Sequence, residues 1–312
     1  MNLYLKNEQN LLRISIFSTI LLAGIGIIFG LLASSSTIIF DSIYAMIDAV
    51  MTTLALIVAR LITSSTSKDF IHNKLEKHFT MGFWHLEPIV LGVNGILLIG
   101  AATYAFINAI DSLLLGGREI LFGYAIVITL ISIVVELSLG IFIKKANKSI
   151  NSEFLTLDSI SWLISASMSL GYLFAFSFGY IAINTSLDWI TPYIDPSVLI
   201  FVCIFIIPMP FKTVKKALAD ILLVTPLELK QQVDKIAENI VKKYSFDSFR
   251  AYVARVGRGR QIELYFIVPK SWPAKKLEEW DLLRDEIEKK LGKEDPDLWL
   301  TIVFTTDCEW AE

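Results

Sequence analysis

The segment Phe40–Arg60, FDSIYAMIDAVMTTLALIVAR, has the length and apolar content of a membrane-spanning helix, yet it contains two aspartates. A carboxylate at mid-bilayer costs roughly 2.5–3.5 kcal/mol on insertion scales. Asp41, Tyr44 and Asp48 follow one another at i, i+3 and i+7, so they share one face of the helix. An acidic face inside a membrane helix predicts a site for a cation or for protons. The alternative is structural: Asp41 lies near the membrane interface, and Asp48 is neutral and hydrogen-bonded to a neighbouring helix.

The composition divides the chain into a membrane part and a soluble part. Hydrophobic residues make up 54% of the 312 residues, and the mean hydropathy of +0.59 is too high for an ordinary soluble protein. This excess lies between Leu11 and Leu223, whereas the chain from Thr225 onward is rich in charged residues. We therefore expect a membrane domain at residues 1–224 and a soluble domain at residues 225–312.

Charge and cysteine content exclude other classes of protein. A net charge of -3 is nearly neutral and predicts no nucleic-acid partner. The two cysteines, Cys203 and Cys308, imply no disulfide framework. The sequence contains no nucleophile elbow, phosphate loop or HExxH pair, so we do not expect an enzyme.

Six apolar runs are each near the length that a bilayer requires. They comprise residues 12–33, 38–62, 86–110, 119–143, 155–180 and 196–216. Lysine and arginine are frequent before the first run, between the second and third, between the fourth and fifth, and at the end of the sixth, but rare in the other connections. This positive-inside pattern predicts that both termini are cytoplasmic. We expect the protein to lie in the cell (inner) membrane.

Other polar residues lie within these runs. Asn94 lies in the third run and Glu136 in the fourth, while the fifth has Asp158, Ser161 and Ser165 at the same i, i+3, i+7 spacing as the second. Two matching polar faces predict a shared pocket lined mostly by oxygen atoms. Alternatively, the serines serve helix packing as small residues, and Glu136 is either a pocket wall, a proton relay or a neutral acid bonded to another helix.

The soluble part has the element order αββαβ. We expect a helix to about Tyr244 with Thr225 as its N-cap, strands at 249–256 and 261–268 joined by Gly257–Gly259, a helix at 274–291 and a strand at 298–305. Ile262, Leu264 and Phe266 alternate with Glu263 and Tyr265, which predicts an apolar face on the second strand. Leu298–Thr305 closes a small open sheet with helices on one face. The fold class is therefore six membrane helices followed by a C-terminal α+β domain.

These features together resemble the cation diffusion facilitator family. The motifs are DSIYAMIDA in the second run, GFWHLEP (Gly82–Pro88), LTLDSISWLIS in the fifth run, YIDP (Tyr193–Pro196) and LLVTP (Leu222–Pro226). The resemblance implies a homodimeric antiporter that exports a divalent metal cation in exchange for protons. It also implies that the soluble domain dimerises in the cytoplasm.

Position by position, the resemblance places the transport site at Tyr44 and Asp48 of the second helix and at Ser161 and Ser165 of the fifth. Only Asp48 matches the usual ligand type, and the nearby acids Asp41 and Asp158 could move inward to complete the site. A pocket of carboxylates and hydroxyls favours manganese, magnesium or iron(II) over zinc, although zinc and cobalt remain candidates.

The three histidines, His72, His78 and His85, lie in or just after the connection between the second and third runs. They could form a cytoplasmic metal-entry site, or they could belong to a solvated loop without a specific role. The soluble domain has no histidine, and the run Asp307–Glu309 is more typical of an exposed end than of a metal sensor.

Two functions remain open at this point. The first is metal/proton antiport through Asp48. The second is a degenerate family member that no longer transports and acts as a metal-binding or scaffolding subunit, which the replacement of three usual ligands would explain. Against the second, Asp41, Asp48, Glu136 and Asp158 are costly to retain inside a membrane without a use.

Overall fold

The computed structural model describes residues 2–65, 82–150, 153–292 and 297–312. Its first six long helices are α1 (Asn2–Ala33), α2 (Ser36–Ser65), α3 (Leu86–Leu114), α4 (Phe122–Ile150), α5 (Glu153–Ala182) and α6 (Thr191–Ile206). All six are long and apolar enough to cross a membrane. The prediction of six membrane-spanning helices is therefore confirmed.

The sixth helix differs from its predicted range of 196–216. It begins at Thr191 and ends at Ile206, and a separate helix, α7, follows at Phe211–Ile221. Pro208 and Pro210 lie in the turn between the two helices. Because proline donates no amide hydrogen bond and its ring clashes with the preceding turn, a helix does not continue through this pair.

The described chain packs into two compact units. The first comprises Met1–Leu54 and Val93–Thr213, and the second comprises Ala55–Gly92 and Val214–Glu312. The predicted domain boundary at residue 224 falls inside the second unit and stays a prediction.

One apolar core of the first unit contains side chains from each of the six long helices. Helix α3 contributes the small residues Ala102, Ala105 and Ala109 to this core, which also contains larger side chains such as Phe176 of α5 and Leu199 of α6. The apolar residues on the outer faces stay exposed, as expected for helices that face lipid.

The second unit contains the predicted αββαβ arrangement. Its elements are α8 (Leu227–Tyr244), β1 (Ser248–Val256), β2 (Gly259–Ile267), α9 (Leu277–Leu291) and β3 (Leu298–Thr305). The strand order is β1-β2-β3, with β1 and β2 antiparallel and β2 and β3 parallel. Ile262, Leu264 and Phe266 alternate along β2 and pack against both helices, which confirms the predicted apolar face.

The predicted cap of α8 is wrong. Pro226, not Thr225, occupies the N-cap position, and it makes no side-chain capping hydrogen bond. Its extended backbone leaves its carbonyl free to accept the first helical hydrogen bond, from the amide of Lys230. The φ of Pro226, -75°, lies within the range that the proline ring allows.

The turn between β1 and β2 contacts the residues that begin α3, within the same unit. Arg258 forms an ion pair with Glu87, at 3.0 Å between Nε and Oε2. A Cβ atom on Gly259 would lie 2.6 Å from the ring of Trp84, so only glycine fits there without a shift. His85 lies in the turn immediately before α3.

The two neighbouring leucines of α9 offer a matched test of this core. Leu283 is 6% exposed and Leu282 is 70% exposed. We expect Leu283→Ala to lower the free energy of unfolding by about 2–5 kcal/mol, because it leaves a cavity in the core. Leu282→Ala should change it by less than about 0.5 kcal/mol. Thermal unfolding of the purified full-length protein checks this, and equal effects of the two substitutions would contradict the assigned packing.

Candidate functional site

Asp48 lies near the middle of α2 and faces a polar side chain of α3. Its helix has an apolar segment of 27 residues, Ser36–Ile62. The amide nitrogen of Asn94 donates to Oδ1 of Asp48 at 3.3 Å. The side-chain oxygen of Asn94 is buried and has no hydrogen-bond partner among the described residues. Two helices thus bring a carboxylate and an unpaired amide oxygen together within the membrane segments.

Asp41 belongs to a different group of side chains from Asp48. Seven residues of α-helix separate them by about 10 Å along the axis, so a single cation cannot bind both in this conformation. The hydroxyl of Tyr172 on α5 donates to Oδ1 of Asp41 at 3.3 Å. Asp41 is also close enough to Glu136 of α4 for their charges to interact.

Glu136 is the most deeply buried acid of this second group, with 5% of its surface exposed. The hydroxyl of Ser169 lies against its carboxyl group. Its Oε2 atom has no hydrogen-bond partner among the described residues. The hydroxyl of Ser169 therefore connects α5 to this acid of α4.

Asp158 belongs to a third group. The hydroxyl of Ser15 on α1 donates to Oδ1 of Asp158 at 2.8 Å and accepts from Nε1 of Trp162, also at 2.8 Å. The second carboxylate oxygen of Asp158 is buried and has no partner among the described residues. The three aspartates therefore lie in three separate hydrogen-bonded groups rather than in one preformed pocket.

Tyr44, Ser161 and Ser165 lie on helix faces and have less extensive polar contacts. Tyr44 is half-buried, packs against the core of the first unit and has its ring 5.7 Å from that of Phe40. Ser161 and Ser165 are exposed, one helical turn apart on α5. In the described part of the chain, no three His, Cys, Asp or Glu side chains form a group that could hold a metal ion.

Two of the three histidines lie outside the residues that the structure describes. His72 and His78 fall outside the described residues, and His85 belongs to the second unit. The proposed metal-entry site therefore stays a prediction.

The partners of Asp41 and Asp158 do not follow from the sequence, whereas Asn94 is a polar residue that the sequence analysis already places in the third run. Ser15 meets Asp158 across 143 residues of chain, and Tyr172 meets Asp41 across 131 residues. No local pattern marks such a pair. Their only sequence signal is that a carboxylate inside the membrane requires a donor on some neighbouring helix.

Residues 12–222 match the sequence model of the cation efflux transmembrane domain. The chain belongs to the cation efflux family. Members of this family transport cations across membranes, and the six helices make this cation efflux protein an integral, multi-pass membrane protein. No curated protein matches the chain.

The role of Ser15 can be tested against a second serine of the same bundle. Ser15 is 3% exposed and connects Asp158 to Trp162, whereas Ser167 bonds only the backbone of its own helix. Ser15→Ala leaves two buried polar groups without this partner, so we expect it to destabilise the protein by about 1–3 kcal/mol. Ser167→Ala should have little effect. Thermal denaturation in detergent checks both variants, and unchanged stability of Ser15→Ala would contradict the network.

Proposed function

We propose that this cation efflux protein exports a divalent metal cation in exchange for protons, with Asp48 as the principal ligand. The observation that carries this proposal is the pair formed by Asp48 and Asn94 between α2 and α3. A carboxylate at this depth is expensive in lipid, and membrane proteins retain such groups chiefly for transport or proton transfer.

The accessibility of Asp48 supports this role. Asp48 is exposed although it lies mid-span. A carboxylate in contact with hydrocarbon would be strongly disfavoured, so an exposed one is best explained by a water-filled cavity that a cation can enter. A buried and fully hydrogen-bonded Asp48 would have favoured the structural alternative.

Asn94 is suited to be a second ligand. Its amide group now donates to Asp48, while its oxygen has no partner in the described structure. Rotation of the amide by half a turn would present this oxygen to a cation bound at Asp48. Asn94 thus serves Asp48 as a donor when the cation is absent and as a ligand when it is present.

The remaining ligands come from the family resemblance. Tyr44 lies one helical turn before Asp48, and the hydroxyls of Ser161 and Ser165 would approach from α5. Carboxylate, amide and hydroxyl oxygens form a hard set, which favours manganese(II), magnesium or iron(II). Asp41 and Asp158 would join this set only after a conformational change that breaks their present hydrogen bonds.

We assign the exchanged protons to Asp41 and Glu136. These two acids lie close to each other, and the Oε2 atom of Glu136 is buried without a partner among the described residues. A buried carboxyl oxygen in this position is suited to hold a proton when no cation is near. The proposal also includes cytoplasmic termini and a homodimer formed through the C-terminal α+β region.

Metal-driven proton flux in proteoliposomes tests the proposal. Manganese(II), iron(II), zinc, cobalt and magnesium are added separately to vesicles that contain a pH-sensitive dye. We expect a metal-specific flux for the wild type and a loss of at least about 100-fold for Asp48→Asn, because the substitution removes the charge that binds the cation.

Asp111→Asn is the matched control, since Asp111 is an exposed acid at the end of α3. This variant should transport at the wild-type rate. Equal flux of Asp48→Asn and the wild type would contradict the role of Asp48. No flux with any metal, in protein shown to be folded, would instead favour a non-transporting scaffold.

A further inference from the structure

Asp195 is a buried acid that the transport site does not use. It lies in the first turns of α6, within the motif Tyr193–Pro196, and only 1% of its surface is exposed. Its Oδ1 atom accepts a hydrogen bond from the hydroxyl of Ser35 at 2.5 Å and one from the amide of Thr37 at 3.3 Å. Its Oδ2 atom accepts from the amide of Ser36 at 2.9 Å.

These contacts satisfy the amides that begin α2. The first four amide groups of a helix have no partner within the helix. In α2, Asp195 accepts from the amides of Ser36 and Thr37, and the hydroxyl of Ser35 accepts from the amide of Ile38. The carbonyl of Ser35 accepts the first helical hydrogen bond, from the amide of Ile39. The cap of α2 therefore comes partly from its own chain and partly from the carboxylate of another helix, where the negative charge also complements the helix dipole.

The turn that precedes α2 is tight and leaves little freedom. The amides of Ser34 and Ser35 bond back to the carbonyls of Leu31 and Gly30, which closes the end of α1. Ser34 has a φ of +57°, a left-handed conformation that disfavours most residues. The hydroxyl of Thr37 adds a further link, since it donates to the carbonyl of Asp195 at 2.9 Å.

The adjacent proline of the motif connects a third segment. Pro196 has no amide hydrogen, so the carbonyl of Pro192 lacks its helical partner. The amide of Arg118, between α3 and α4, donates to that carbonyl at 2.8 Å, and the guanidinium of Arg118 donates to the hydroxyl of Ser36. Gly117 lies against Pro192 so closely that a Cβ atom would be 2.5 Å from its carbonyl oxygen.

We propose that Asp195 is a positioning residue for transport, which holds the first turn of α2 to α6 so that the two helices move together at this end of the bundle. The inference rests on the proposed function, since α2 carries Asp48. Separating the two helices at this end would leave the hydroxyl of Ser35 and the amides of Ser36 and Thr37 without their acceptor. Asp195 makes such a separation unfavourable throughout the transport cycle.

The position of Asp195 predicts which kinetic parameter it controls. The first residue of α2 is about 18 Å from Asp48 along the helix axis, because twelve residues separate them. Asp195 should therefore leave cation binding at Asp48 unchanged and act on the conformational change that releases the cation.

Asp195→Asn tests this separation of effects. Asparagine retains one acceptor oxygen, but its side-chain NH2 group, which is a donor, would face the donating amide of Ser36. We expect the maximal flux in proteoliposomes to fall at least about tenfold while the half-saturating metal concentration changes less than about twofold. Asp188→Asn, at an exposed aspartate just before α6, is the matched control and should match the wild type. A normal maximal flux for Asp195→Asn, or a change confined to the half-saturating concentration, would overturn the proposal.

A double variant distinguishes positioning from simple capping. Ser35→Asp/Asp195→Ala moves the carboxylate onto the N-cap of α2 itself and removes it from α6. We expect amide hydrogen exchange at residues 36–38 to be fast in Asp195→Asn and slow again in the double variant, with the flux still low. Recovery of the wild-type flux would show that a local cap suffices and would overturn the link to α6.

Amide hydrogen exchange tests the link between α2 and α6 even if the antiport proposal fails. If the wild-type protein shows no flux with any metal, the antiport proposal fails. Faster exchange at residues 36–38 in Asp195→Asn would then still support the link between α2 and α6, whereas unchanged exchange would overturn it.

Discussion

A carboxylate inside a membrane must meet a donor, a cation or water, and this requirement organises the membrane part of the protein. Asp41, Asp48, Glu136 and Asp158 each meet a polar side chain of a different helix, so the contacts that stabilise these four acids also connect the helices. The pairs are Asp48 with Asn94, Asp41 with Tyr172, Asp158 with Ser15 and Glu136 with Ser169. Each group also retains an oxygen or a charge that is incompletely satisfied, most clearly in Asn94, Glu136 and Asp158. Polar groups that are buried without all of their partners lower stability, but they suit helices that must exchange one set of partners for another.

The proposed mechanism assigns different tasks to different depths of α2. Near its middle, Asp48 and Asn94 receive the cation from a water-filled cavity. About 10 Å along the helix, Asp41 and Glu136 hold the protons that the cation exchanges for. At its first turn, Asp195 fixes the helix to α6. A motion of α2 would thereby affect all three places at once, which is a physical basis for coupling the movement of the cation to that of the protons.

The sequence predicts the elements better than it predicts their partners. The six spans follow from hydropathy, and the αββαβ order follows from alternation along β2 and from the glycine-containing turn, because these patterns are local. Hydropathy continues through Pro208 and Pro210 and so extends the predicted sixth span beyond Ile206, but these two prolines also predict the break that ends α6 there. The residue type of Thr225 predicts an N-cap, whereas Pro226, with its extended backbone, occupies that position. The partners Ser15, Tyr172 and Asp195 depend on contacts across more than 130 residues, which one sequence does not reveal.

The central claim is that Asp48 and Asn94 bind the transported cation together. The most direct measurement is anomalous X-ray scattering from crystals of the full-length protein soaked in manganese(II). The account predicts a peak within bonding distance of a carboxylate oxygen of Asp48 and of Oδ1 of Asn94, with the amide of Asn94 rotated and no such peak in Asp48→Asn. A well-occupied peak among other residues of the membrane helices, with Asp48 still bonded to the amide nitrogen of Asn94, would contradict it.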